Sequence, residues 1–117
     1  MKKSKAELEK EISRLVADFL DRQLGEHAVS VDTFLSGNSL TVRATNCFSP
    51  GEKTLVQNEY DWHLFQDFKN QQFEKVEPQL KTQLEKITDC EVLNIVSVVG
   101  QDGMRFEVVM LGKNFEN

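Results

Sequence analysis

Few residues in this chain are of a type and spacing that could do chemistry, and they are scattered. The two histidines, His27 and His63, lie far apart, and neither has a second ligand at metal-binding spacing. His27 follows an expected helix end, where the helix dipole favours a cation. His63 sits at an expected helix start, between Trp62 and Leu64. Both read as structural or surface residues, and no metal or other cofactor is expected. Cys47 closes one expected strand and Cys90 opens another, so they form a redox pair only if those strand ends are neighbours; buried, inert thiols are the commoner outcome. Ser49 lacks a Gly-x-Ser-x-Gly context, and its hydroxyl is better used as a helix cap. Gly100-x-x-Gly103 lies between two strands instead of ahead of a helix, so it reads as a hairpin turn and not a phosphate loop. The 19 Asp and Glu residues include no pair set apart by spacing. No catalytic constellation results, and the expectation is a protein that is not an enzyme.

The candidates for binding a partner or ligand are Arg43, Trp62 and Arg105. Trp62 belongs to an aromatic group with Tyr60, Phe65, Phe68 and Phe73. Such a group fills a core more often than it forms a groove, although aromatic residues also anchor interfaces. Arg43, Arg105 and Asp61 would favour an alternative, a small-ligand sensor or enzyme, if they converged on a pocket between sheet and helix. Charged residues of this kind are more often solvated surface.

A net charge of −5 argues against a nucleic-acid partner. No run approaches the roughly 20 apolar residues of a membrane span, so direct membrane insertion is not expected. The basic start, Met1-Lys2-Lys3-Ser4-Lys5, leads into Ala6-Glu7-Leu8-Glu9-Lys10-Glu11, a doubly charged helix and not the apolar middle of a signal peptide. Two cysteines cannot build a multi-bridge framework, which fits a reducing compartment. The expected location is cytoplasmic.

The elements that must position these residues follow from local signals. The 117 residues have room for one core, so 1–117 is a single domain. Ser4 and Glu7 form a capping box, and Leu8, Ile12, Leu15, Val16, Phe19 and Leu20 recur at helical spacing up to Gly25, a natural stop. The first helix should cover 5–24. Val29, Val31 and Thr33 alternate with Ser30 and Asp32, and Leu40, Val42 and Ala44 with Thr41, Arg43 and Thr45; Gly37-Asn38 between them completes a hairpin. Ser49-Pro50-Gly51-Glu52 opens a second helix that should turn Leu55, Val56 and Tyr60 inward, with Asp61 able to cap a third. From Trp62 to Ile87 the apolar stripe Phe65, Phe68, Phe73, Val76, Leu80, Leu84, Ile87 continues in phase across Pro78. This favours one long kinked helix over a stop and restart. Val92 to Val99 is a strand apolar on both faces, central in the sheet or in an interface. Gly100 to Gly103 turns the chain into a last strand around Met104, Phe106, Val108 and Met110. Gly112 to Asn117 is a polar tail around Phe115.

The architecture is therefore α+β: a two-layer sandwich in the order αββααββ, with a four-stranded antiparallel sheet roofed on one side by helices. Arg105 and Glu107 share a face with Val109 and Leu111. That face is expected to be the one away from the helices and partly to meet a partner, most simply a second copy in a homodimer.

The order of signals resembles a known family. The first helix ends at Gly25, and the hairpin carries Val29-Ser30-Val31 and Leu40-Thr41-Val42-Arg43. Then come Phe48-Ser49-Pro50-Gly51-Glu52-Lys53, a long helix, and Leu84 to Val92. Over about residues 6–111 this resembles the bacterial family named for component C of the Na+-translocating membrane-potential-generating system. The chain departs from the family pattern in three places. Gly25-Glu26-His27-Ala28 keeps only the first glycine of a Gly-x-Gly-Pro turn. Asp89 stands where a glycine is usual, and Gln66, Asp67 and Asn70 occupy the region of a usual arginine. The resemblance implies an accessory or regulatory protein that binds itself or a membrane transport subunit, linked to cation or inorganic-carbon transport.

Overall fold

The structure is a computed structural model describing residues 3–116. Seven elements follow in order: α1 (Lys5–Leu24), β1 (Ser30–Ser36), β2 (Ser39–Thr45), α2 (Pro50–Leu55), α3 (Glu59–Thr88), β3 (Val92–Val99) and β4 (Arg105–Leu111). The strands form one antiparallel sheet in the order β1-β2-β4-β3. Helices α1 and α3 lie together on one face, α1 against β1 and α3 against β3. The expected α+β two-layer architecture is what the chain adopts.

Local chemistry explains where the elements begin and end. Ser4 Oγ accepts from the Glu7 N–H at 3.1 Å, and the Glu7 carboxylate accepts from the Ser4 N–H at 3.4 Å. Such a box satisfies two donors that a helix start leaves free. Ser49 and Glu52 repeat it at 3.2 and 2.8 Å for α2. The cap of α3 is Asn58, whose side chain accepts from the Asp61 N–H at 3.1 Å, so Asp61 lies inside the first turn and is not itself the cap. Helix α3 runs unbroken through Pro78, as the in-phase stripe implies. Its 30 residues give about 45 Å of helix and set the long dimension of the molecule, 49 Å.

The core lies between sheet and helices. Ile12, Val16 and Leu20 from α1 meet Leu40, Val42 and Val109 from the central strands, with Leu80 and Leu84 from α3. Phe48, just after β2, packs edge-on against Phe65 and tilted against Trp62.

Several sequence expectations change. Leu55 and Tyr60 are exposed, and only Val56 of that trio turns inward, because α2 ends there in a short turn. Phe68 is exposed; Lys69 takes its place on the buried stripe of α3, between Phe65 and Phe73. Strand β3 is an edge strand, so its outer apolar residues are not explained by a central place in the sheet. Phe115 is half-buried against the core, and its N–H donates to the Gly37 carbonyl at 2.8 Å; Asn117 lies outside the described residues.

The largest correction concerns β4. Arg105, Glu107, Val109 and Leu111 face the helices and are buried, whereas Met110 is exposed and Phe106 and Val108 are half-buried on the other side. The face expected to be open is the covered one. Successive residues of a strand point to opposite sides, so turning the two charges inward turns Phe106, Val108 and Met110 outward.

Candidate functional site: a buried ion cluster beneath an open apolar face

Gly25 begins the construction. Its positive φ of 65° reverses the chain at the end of α1, its N–H returns to the Asp21 carbonyl at 3.1 Å, and the next N–H, that of Glu26, reaches Leu20 at 3.0 Å. The turn brings Glu26 under the sheet, where it is 2% exposed. Glu26 accepts two parallel hydrogen bonds from Arg105, Nε to Oε1 at 2.8 Å and Nη2 to Oε2 at 2.7 Å. This fork-to-fork geometry is the strongest pairing an arginine makes with a carboxylate. Lys69 Nζ approaches Glu26 Oε2 at 3.1 Å from α3.

Two more groups complete the cluster. Arg105 Nη1 donates to Ser97 Oγ at 2.8 Å and lies 3.4 Å from Glu107 Oε1. Ser97 Oγ in turn donates to Glu107 Oε1 at 3.0 Å. Glu107 Oε2 is buried with no hydrogen-bond partner among the described residues. Aromatic rings supply the walls: Lys69 Nζ lies 5.5 Å from the Phe65 centroid and the Arg105 guanidinium 5.8 Å from that of Phe73.

The electrostatics follow from this burial. Desolvation pushes the Glu107 carboxyl up to about 7, with Arg105 and the Ser97 hydrogen bond pulling it down but not prevailing. Burial works to lower the Arg105 guanidinium, yet its hydrogen bonds to Glu26 and that carboxylate's charge hold it above its ordinary value. Cys47 lies within reach of the same field, and burial, followed by the Glu26 charge, raises its thiol to about 11. A thiol held protonated is a poor nucleophile.

On the far side of the sheet the pattern inverts. The register aligns Asp32, Arg43, Phe106 and Val98 in one row and Phe34, Thr41, Val108 and Val96 in the next. Phe34, Val96 and Val98 are each about half exposed, at 50%, 48% and 49%. Arg43 lies over the Phe34 ring, 5.3 Å from its centroid, and reaches Asp32 at 3.3 Å. No helix among the described residues covers these rows; α1 and α3 both pack on the other face.

With this geometry in view, the comparisons with known proteins decide the family. The model of the Na+-translocating membrane potential-generating system family (MpsC) matches residues 4–113. The chain belongs to the MpsC family. No curated protein and no solved structure matched the chain. The MpsC match spans every element from α1 to β4, so both the ion cluster and the open sheet face lie inside the family's own domain. No helix among the described residues is long and apolar enough to cross a membrane.

The residues singled out in this MpsC-family sequence are not brought to one place. Arg43 lies on the open face, Arg105 on the covered face, and Asp61 is half-exposed in the first turn of α3. They do not converge on a pocket between sheet and helix. Trp62 is buried, 8% exposed, against Phe48. His27 pairs with Asp21 at 2.6 Å on the surface, and the exposed His63 lies 3.8 Å from Glu59. No group of metal-binding side chains occurs among the described residues. Cys47 and Cys90 are both free. Cys47 lies beside the Arg105 end of β4 and Cys90 beside the Leu111 end, about 20 Å away along the strand, so the imagined redox pair does not form.

Glu26 and Lys69 escaped the sequence reading, yet each left a signal. Lys69 breaks a stripe otherwise spaced three and four apart, from Phe65 to Phe73. Glu26 directly follows a helix-ending glycine, a position that re-enters the fold as readily as it leaves it.

Proposed function

We propose that this chain is a non-enzymatic accessory module of the membrane system its family is named for, acting in the cytoplasm and assembling as a homodimer through the open sheet face. One observation carries the reading: β4, a central strand, points its charges into the core and its apolar residues out. A solvated strand does the reverse. Of the inward charges, Arg105 is held by Glu26 and Ser97 and Glu107 is held through Oε1 alone; the outward apolar rows are the part of the strand that no other element among the described residues covers.

The dimensions suit a second copy. Four strands of about seven residues span roughly 24 Å by 19 Å, about 450 Å² in projection and more once side-chain relief is followed. That is the order of the roughly 800 Å² per partner in a standard interface. The face also carries both signs of charge in one row, Asp32 and Arg43, which pair with each other within the chain and so leave no unpaired charge of one sign to oppose a second copy. The ion cluster then has a conformational role: it fixes which side of β4 faces the helices. A one-residue slip would put Arg105 and Glu107 on the interface and Phe106 in the core.

The test is substitution on the open face. Phe106→Lys and Val108→Glu place a charge in the centre of the interface while leaving the core untouched. Light scattering after size exclusion should give a dimer for the parent chain and a monomer with unchanged circular dichroism for each variant. A parent chain that elutes as a monomer overturns the reading.

A further inference from the structure

At the other end of the sheet from the ion cluster, the start of α1, the end of α3 and the segment after β4 line a half-open cavity of about 440 Å³. Its rim carries four lysines, Lys3, Lys5, Lys86 and Lys113, and one carboxylate, Asp89. The chain as a whole has a net charge of −5, so this is a local reversal of sign. Lys3 pairs with Glu11, and Lys5 with Glu116 at 3.2 Å. Neither Lys86 nor Lys113 is in an ion pair among the described residues. Lys113 instead lies over the Phe115 ring, 5.2 Å from its centroid.

The remaining lining is apolar. Leu8 and Leu35 are buried, and Ile87 and Phe115 are half-buried, all opening onto the same cavity. Two acidic side chains of neighbouring elements are engaged, whereas the rim carboxylate Asp89 is in no ion pair among the described residues and faces the four lysines. Glu9 accepts from the Leu35 N–H at 2.7 Å, and Glu116 accepts from the Gly37 N–H at 2.9 Å as well as from Lys5. Uncommitted ammonium groups above an apolar floor select a ligand that carries a negative head on a hydrocarbon body.

We propose that this cavity binds an anionic amphiphile, its carboxylate or phosphate head held between Lys86 and Lys113 and its hydrocarbon part against Leu8, Leu35, Ile87 and Phe115. The site is separate from the open sheet face and does not depend on self-association. The head can be carried by a free amphiphile or by a lipid in a bilayer, and the test separates the two.

Isothermal titration calorimetry would compare decyl phosphate below its micelle concentration with inorganic phosphate. Flotation would compare phosphatidylcholine vesicles with and without phosphatidylglycerol. Decyl phosphate should bind and inorganic phosphate should not, and the double variant Lys86→Glu/Lys113→Glu should weaken binding roughly tenfold or more. Both lysines are exposed, so the double variant should fold, which circular dichroism checks. Flotation only with anionic vesicles, lost in the double variant, assigns the head to a bilayer lipid. Decyl phosphate binding without flotation assigns it to a free amphiphile. Decyl phosphate binding that is absent, unchanged in the double variant, or lost only in Phe106→Lys overturns the proposal.

Discussion

Arg105 and Glu26 meet through two parallel hydrogen bonds of 2.8 and 2.7 Å, both side chains almost wholly out of solvent. They come from opposite parts of the chain, Glu26 from the turn after α1 and Arg105 from the start of β4. The pair ties the first half of the fold to the last hairpin. Removing one partner strands a buried charge, which costs about 3–5 kcal/mol. Glu26→Ala should lose about that much in urea unfolding, because it leaves both Arg105 and Lys69 without their shared carboxylate. The quadruple variant Glu26→Leu/Lys69→Met/Arg105→Met/Glu107→Gln should lose far less than the sum of the single losses, since it removes the buried charges together. A combined loss equal to the sum of the single-variant losses would show that the side chains are not coupled.

Glu107 makes stability depend on pH. Its carboxyl titrates near 7 in the folded chain against an ordinary 4.5, because burial favours the neutral form. As pH rises past 4.5 the unfolded chain releases this proton while the folded chain still holds it. Stability therefore falls across that window, by about 3 kcal/mol in all, and levels once the folded group has ionised near pH 7. Urea unfolding of the parent chain and of Glu107→Gln at a series of pH values isolates the effect. The difference between the two curves should grow from pH 5 to pH 7 in favour of the variant. A difference that does not change with pH would contradict the burial of an unpartnered carboxyl oxygen.

Trp62 belongs to the core and not to a groove. Trp62→Ala removes the ring that packs against Phe48 and should cost about 3–5 kcal/mol, with association through the open face retained in the folded fraction. A small loss of stability accompanied by loss of association would reverse that assignment.

The elements were legible in the sequence because their signals are local. Ser4 with Glu7, Ser49-Pro50 with Glu52, and Gly25 after Leu24 each state a boundary that nearby backbone groups enforce. The faces were less legible, because they are decided by groups distant in the chain. Arg105 and Glu107 read as an outward face by their charge. Their burial depends on Glu26, 79 residues away from Arg105, and on Ser97 of the neighbouring strand, with Lys69 holding the same Glu26 carboxylate. The same cause explains α3: Phe68 looks more like a core residue than Lys69, but the carboxylate of Glu26 draws the lysine inward and leaves the phenylalanine outside. The site was therefore missed where hydrophobicity and ion pairing disagree.

The inside-out arrangement of β4 is tested most directly by the mass of the chain in solution. Sedimentation equilibrium should return twice the 13.4 kDa of a single chain for the parent and a single-chain mass for Val108→Glu. A single-chain mass for the parent at every concentration would contradict the account, since the apolar rows from Phe34 to Val98 would then face water with nothing to cover them.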